Sequence, residues 1–418
     1  MSTQSDINFA NLPPVLQRLL RWMNVPLEQR TRGDLIFPFV SELAAEFTRL
    51  GARDVEITPH GALFATIPAT GGCGEGPKLG FLASFGDFVD DRPHLPGWRL
   101  VTFHGGDIVV NREKDVILNM SRYPELARGL GHDFLVSDGV APLDLKHRAG
   151  IALMLGILEH HHRHPEHPHT EIRLAVTPES LISHGEKFFD LERFGADYAY
   201  ELTAPGYGHV VTECFNAARA VVTIRGRDCF PGAAKGRMLN AIRLMRHFLE
   251  DMPRDETPER TEDQEGFFHV AHIEGSVAMA RALILIRDFG FDSFEVRKSQ
   301  LTAMSQDFEK YGRGTCTVDI IDEYENMGRI MSRSSRVVKE AMHACRAKGI
   351  SPEAVSVRGT MDGARLTSRG LPCPGLFTGA QFIEEGPLFE VLPTTSLDKA
   401  QSVVLEIVRT SANLKSLA

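Results

Sequence analysis

Residues 149–176 read AGIALMLGILEHHHRHPEHPHTEIRLAV. An apolar stretch at helical spacing ends in a histidine-rich polar tract, and a short run, Ile172-Arg173-Leu174-Ala175-Val176, then has the length and branched composition of a buried strand. Earlier in the chain, residues 78–83 (KLGFLA) form another short apolar run of the kind buried in a parallel sheet. Helix alternating with buried strand predicts an α/β layer, in which ligands are met at the carboxyl ends of the strands.

Working towards the N-terminus, residues 55–57 and 62–67 read as strands, and residues 16–23 and 37–50 carry helical periodicity, the second stopped by Gly51. Downstream the texture changes near residue 214. A strand over 220–225, a Gly/Pro/Ala-rich turn, a helix over 238–248, a charged stretch over 254–265 and strands over 282–287 and 317–321 suggest an inserted α+β unit. A helix over 332–348, a strand over 355–357 and a helix from 397 to about 412 return to the first unit. The expected division is an α/β domain from 1–213 and 327–418 and an inserted domain from 214–326. No internal repeat is evident.

Composition narrows the function. The chain has 418 residues, 43% hydrophobic and 24% charged, enough for a substantial core in two or three units. A formal charge of -9 argues against nucleic acid or an anionic membrane as partner, since both need clustered positive charge. No run reaches membrane-spanning length and the first residues lack a secretory pattern, so a cytoplasmic location is expected. The six cysteines are scattered without a CxxC pair, which suggests neither a zinc knuckle nor a disulfide framework. Six of the ten residues from His160 to His169 are histidines. They read as a solvated loop able to take a metal adventitiously, because nothing in the sequence fixes their geometry.

Glu213-Cys214-Phe215-Asn216-Ala217-Ala218, followed by Phe230-Pro231-Gly232-Ala233-Ala234-Lys235-Gly236 and Asn240, resembles the start of the dimerisation domain of the peptidase T family, di-zinc tripeptide aminopeptidases. Gly105-Gly106-Asp107-Ile108, Glu256-Thr257-Pro258-Glu259, Glu265-Gly266-Phe267, Ile286-Arg287-Asp288-Phe289, the run from Arg358 to Ala364 and the run from Gly370 to Pro374 agree in order and spacing. The resemblance implies a zinc-exopeptidase-like α/β catalytic domain, an inserted α+β dimerisation domain and a homodimer. It also implies two zinc ions sharing a bridging carboxylate and activating a water that a glutamate deprotonates.

At the metal positions the resemblance breaks. Where the family has His-x-Asp after the first buried strand, this chain has Ser84-Phe85-Gly86; where it has Gly-x-Asp-Asp-Lys-Ala-Gly, the chain has the run from Asp144 to Gly150, with Lys146 at the bridging aspartate. A cation between two zinc ions is repelled. The family's Thr-Pro-Asp-Glu-Glu becomes Thr177-Pro178-Glu179-Ser180-Leu181, and Thr203, Phe230 and Glu384 stand for an aspartate and two histidines. The expectation is therefore a homologue with no metal cofactor that binds a small peptide, an amino-acid-like ligand or a partner protein. Asn216, Asn240, Arg287 and Arg358 are the expected ligand-binding residues, the arginines offering paired donors to a carboxylate; the alternative is that both arginines are structural ion-pair partners. Lys146, Glu179, Ser180 and Glu384 are the candidates in the former metal site, with Lys146 pairing Glu179 and Glu384 or serving as base to Ser180 or Ser84. An enzyme with metal-free or altered-metal chemistry, and an ordinary tripeptide aminopeptidase, are the alternatives.

Overall fold

The computed structural model describes residues 11–25, 38–86, 97–140, 143–178, 182, 189–204, 206–312, 315–359, 361–383 and 389–413. They divide into two compact units: the first comprises residues up to Thr212, Met331–Val355 and Arg369 onward, the second Glu213–Ile330 and Ser356–Ser368. The second unit thus reclaims a short segment from late in the chain, Ser356–Ser368, that lies beyond a single contiguous insertion.

The chain opens with helices α1 (Pro14–Met23) and α2 (Pro38–Arg49), then strands β1 (Arg53–Ile57), β2 (Leu63–Ile67), β3 (Leu79–Phe85), β4 (Trp98–Thr102), β5 (Ile108–Asn111), β6 (Val116–Leu118) and β7 (Asp133–Ser137). Helix α3 (Leu145–Arg163) leads to β8 (Ile172–Pro178), α4 (Leu191–Phe194), β9 (Tyr198–Ala204) and β10 (His209–Cys214). In the second unit follow β11 (Asn216–Arg225), α5 (Ala241–Glu250), β12 (Phe267–Gly275), β13 (Met279–Asp288), α6 (Phe291–Gln306), β14 (Cys316–Tyr324) and α7 (Met327–Ile330). The chain ends with α8 (Arg336–Ala347), β15 (Glu353–Val357), α9 (Asp362–Ser368), β16 (Gly375–Phe377), β17 (Gln381–Ile383), β18 (Phe389–Pro393) and α10 (Thr394–Ser411).

The main sheet runs β1-β2-β8-β3-β9-β16-β10-β15. Its centre is parallel, β8 with β3, β3 with β9 and β9 with β16, and antiparallel pairs flank it. Every residue of β3 and of β9 is buried, and β3 accordingly reads as a nearly continuous apolar run and not as an alternation. Helix α3 crosses this sheet and is itself buried from Leu145 to Leu158 except at Lys146. Gly150 makes that approach possible, since a Cβ there would lie 2.3 Å from the Leu202 carbonyl oxygen. On its other side α3 packs against α1 and α10, and Arg18 ties the three together through Glu159 at 2.7 Å and Gln401 at 2.8 Å. A smaller sheet, β17-β18-β7-β4, belongs to the same unit.

The second unit is an antiparallel sheet, β12-β13-β11-β14, with α5 and α6 packed on it. β13 alternates buried and more exposed residues, as a sheet with one covered face requires. The buried face carries Ala220, Val222, Ile224, Ala282, Ile284 and Ile286 against Leu244, Met245, Phe248 and Leu301.

Candidate functional site

The carboxyl ends of β3, β8 and β9 lie on one edge of the main sheet, because the three are parallel and in register: Ser84 stands opposite Thr177 and Phe85 opposite Pro178. The Ser84 and Thr177 hydroxyls are 3.4 Å apart and buried. On β9 the Thr203 hydroxyl donates to Glu201 at 2.8 Å. The N-terminus of α3 reaches the same edge, since the Gly86 backbone N–H donates to the Asp144 carboxylate at 2.8 Å.

Asp144 precedes the first turn of α3 with φ +58°, a left-handed conformation that aspartate tolerates better than most side chains. Its other carboxylate oxygen is bonded to His147 Nδ1, and both side chains are buried. Burial works to raise the Asp144 pKa. The charges of His147 and Arg148, with the His147 and Gly86 hydrogen bonds, outweigh burial and hold it below the usual carboxylate range. Glu390, on β18, accepts backbone N–H groups from Leu145 at 2.9 Å and from Leu143. A carboxylate of the chain itself thus occupies the helix N-terminus, where the dipole and the free N–H groups favour an anion. Burial nevertheless pushes Glu390 up to about 7, with Asp144's charge adding to the rise and the two backbone bonds opposing it. Arg148 points away into the core, where its guanidinium donates to the carbonyls of Trp22 and Val25 and lies 5.6 Å from the Phe39 ring centre.

Of the residues expected at the family's metal positions, Lys146 is half-buried in the first turn of α3. Glu179, Ser180 and Glu384 lie outside the described residues. The four expected ligand-binding residues all belong to the second unit and all hold internal bonds. Asn216, fully buried, donates to the carbonyls of Asp288 at 3.1 Å and Phe289 at 3.0 Å and accepts the Asn326 N–H at 2.9 Å. Asn240 caps α5 by accepting the Arg243 N–H at 3.2 Å. Arg287 bonds the Ala218 carbonyl at 2.9 Å and Glu323 at 3.0 Å. Arg358 donates to the carbonyls of Asp263 and Glu265, both at 3.0 Å, and lies over the rings of Phe215 and Phe267. The Asp144–His147–Glu390 group was not foreseen in the sequence, where His147 is a lone histidine and Glu390 lies far along the chain.

Residues 212–316 match the family model of the M20 peptidase dimerisation domain. Peptidase T of Clostridium botulinum (strain Loch Maree) is 36% identical over 411 residues, covering 96% of this chain and 99% of that protein. The chain belongs to the peptidase T family. Among solved structures, an aminopeptidase from Bacillus cereus superposes with a TM-score of 0.71 at 20% identity, covering 97% of this chain and 99% of that one. A tripeptidase from Staphylococcus aureus gives 0.70 at 20% identity. The fold is accordingly the M20 peptidase fold, a zinc-exopeptidase-like catalytic domain with a dimerisation domain. Among the described residues no helix is long and apolar enough to cross a membrane.

Proposed function

We propose that this member of the peptidase T family is a homodimer that binds a small peptide or amino-acid-like ligand at the carboxyl edge of its main sheet, in the cytoplasm, without a pair of zinc ions. The observation that carries the reading is the self-satisfied first turn of α3: Asp144 is committed to His147 and Gly86, and Glu390 to the N–H groups of Leu143 and Leu145. The neighbouring strand ends offer the hydroxyls of Ser84, Thr177 and Thr203, which are poor zinc ligands beside thiolate, imidazole and carboxylate. Lys146 adds a cation where the family's bridging carboxylate is expected. With Lys146 at the bridging position and hydroxyls at the neighbouring strand ends, the described residues supply no carboxylate to bridge two zinc ions.

Lys146, half-buried in the first turn of α3, is the group proposed to meet the carboxylate end of a ligand. Asn216, Asn240, Arg287 and Arg358 hold the second unit in shape in this reading.

A second reading is favoured by the relatives themselves, whose identity spans nearly the whole chain. In it the protein remains a peptidase that hydrolyses tripeptides, with metal ligands drawn from residues outside those described. Metal analysis and hydrolysis of a tripeptide panel separate the two, using tag-free protein in which His164 and His167 are replaced by alanine. Less than about 0.2 zinc per chain and no hydrolysis with added zinc are expected. About two zinc ions per chain with zinc-dependent turnover would overturn the proposal in favour of the second reading.

A further inference from the structure

The histidine tract is more ordered than a solvated loop. His161 and His169 are buried, their ring centres 3.9 Å apart, and form the floor beneath the exposed members of the tract. The loop above them is tied down at both ends. His164 closes α3 through its backbone N–H to the His160 carbonyl at 2.9 Å, and the His167 N–H bonds the His164 carbonyl at 3.1 Å. Thr70 donates its hydroxyl to the His167 carbonyl at 2.6 Å and its N–H to the His169 carbonyl at 3.0 Å. Pro165 and Pro168 restrict the backbone between these anchors.

On this frame the exposed side chains converge. Glu166 Oε1 lies 3.4 Å from His164 Nδ1 and 3.7 Å from His167 Nε2, and the ligand atoms of the three residues all lie within 4.8 Å of one another. Around a tetrahedral ion with bonds of about 2.0–2.1 Å, neighbouring ligand atoms sit about 3.3 Å apart. The remaining nitrogen of His167, Nδ1, is 3.0 Å from His160 Nε2. A hydrogen bond from the non-ligating nitrogen is the arrangement that fixes ring orientation and tautomer in metal-bound imidazoles. His160 and His164 are also one helical turn apart, with ring centres at 5.1 Å.

We infer that His164, Glu166 and His167 form a surface site for one divalent transition-metal ion of the zinc, nickel and copper class, with His160 orienting His167 and water completing the coordination. Imidazole and carboxylate donors suit these ions better than magnesium or calcium, which prefer oxygen alone. The site belongs to the outer end of α3, away from the first turn that carries Asp144 and His147. It is independent of whether the strand-end site binds metal.

The test is calorimetric titration of the tag-free full chain with zinc chloride, repeated with copper(II) under electron paramagnetic resonance to read imidazole nitrogen coupling. One ion per chain is expected at this site, over and above any held at the strand ends. His164→Ala and His167→Ala should each weaken binding at least 100-fold, and His160→Ala about tenfold, as loss of an orienting partner does. His162→Ala is the decisive control, because His162 is exposed in the same tract but is not part of the converging group. It should leave the titration unchanged. Equal binding by wild type and His167→Ala, or an equal loss in His162→Ala, would overturn the inference and mark the tract as an unspecific histidine cluster.

Discussion

Asn216→Ala separates a scaffold role from a ligand role at the most deeply buried of the expected binding residues. The amide makes three hydrogen bonds, to the carbonyls of Asp288 and Phe289 and from the Asn326 N–H, all inside the second unit. Phe289's carbonyl keeps a partner in the Asn326 side chain at 3.2 Å, but the Asp288 carbonyl loses this donor and the Asn326 N–H loses this acceptor. Net loss of about 1 kcal/mol per bond, with the orphaned buried N–H at the upper end of its range, gives about 3 kcal/mol. For a unit of this size that corresponds to a fall of about 10 °C in its unfolding midpoint. Differential scanning calorimetry of the full chain reads it directly, and the transition that moves should be that of the second unit. A midpoint shift below about 2 °C, together with loss of peptide binding, would refute the scaffold assignment and restore Asn216 to the ligand.

Three further outcomes are expected. Asn240→Ala removes only the cap of α5 and should cost about 1 kcal/mol, read in the same calorimetric transition. Gly150→Ala places a methyl against the Leu202 carbonyl and should destabilise the first unit by about 1–3 kcal/mol despite alanine's better helix propensity, measured by urea denaturation. Burial raises Glu340 to about 7, opposed by bonds such as that from the Tyr200 hydroxyl at 3.1 Å, and burial likewise raises Glu390 to about 7. A folded pKa above the unfolded one means that the native state holds the extra proton, so stability falls as pH rises from about 4.5 to 7 and levels above. The loss is about 3 kcal/mol for each group; Glu340→Gln should remove its share, and identical pH profiles for variant and wild type would contradict the assignment.

The parallel centre of the main sheet was legible because β3 and β8 are short apolar runs flanking a long apolar helix, and burial on both faces erases alternation. The second unit was legible at β11 and β13 but not at β12 or α6. β12 is exposed over most of its length, and only Phe294 and Leu301 of α6 are buried, so neither carries the periodic apolar signal on which such a reading depends. The expected helix over 238–248 begins instead at Ala241, because Asn240 in extended conformation takes the capping position. The histidine tract reads as solvated because a polar run of histidines with two prolines, an arginine and a glutamate carries no burial signal; its partner Thr70 is remote in sequence.

Around the expected metal positions the sequence names residue types but not their contacts. A sequence reveals that lysine stands where an aspartate is expected, but not that the neighbouring Asp144 turns left-handed and gathers His147 and Gly86, nor that Glu390 caps the helix from 247 residues beyond Leu143. These contacts bear on the proposed loss of metal. A carboxylate held by an imidazole and a backbone N–H, and a second one held by two backbone N–H groups, can face an ion only through the lone pairs that those bonds leave. Restoring aspartate at Lys146 alone should therefore not recover zinc binding at the strand ends, since it supplies one ligand to an edge whose other described donors are hydroxyls or are already paired. If Lys146→Asp, made with the His164 and His167 alanine changes, did take up two zinc ions, the first turn of α3 would have to be open to metal, and the self-satisfied arrangement could not be what excludes it.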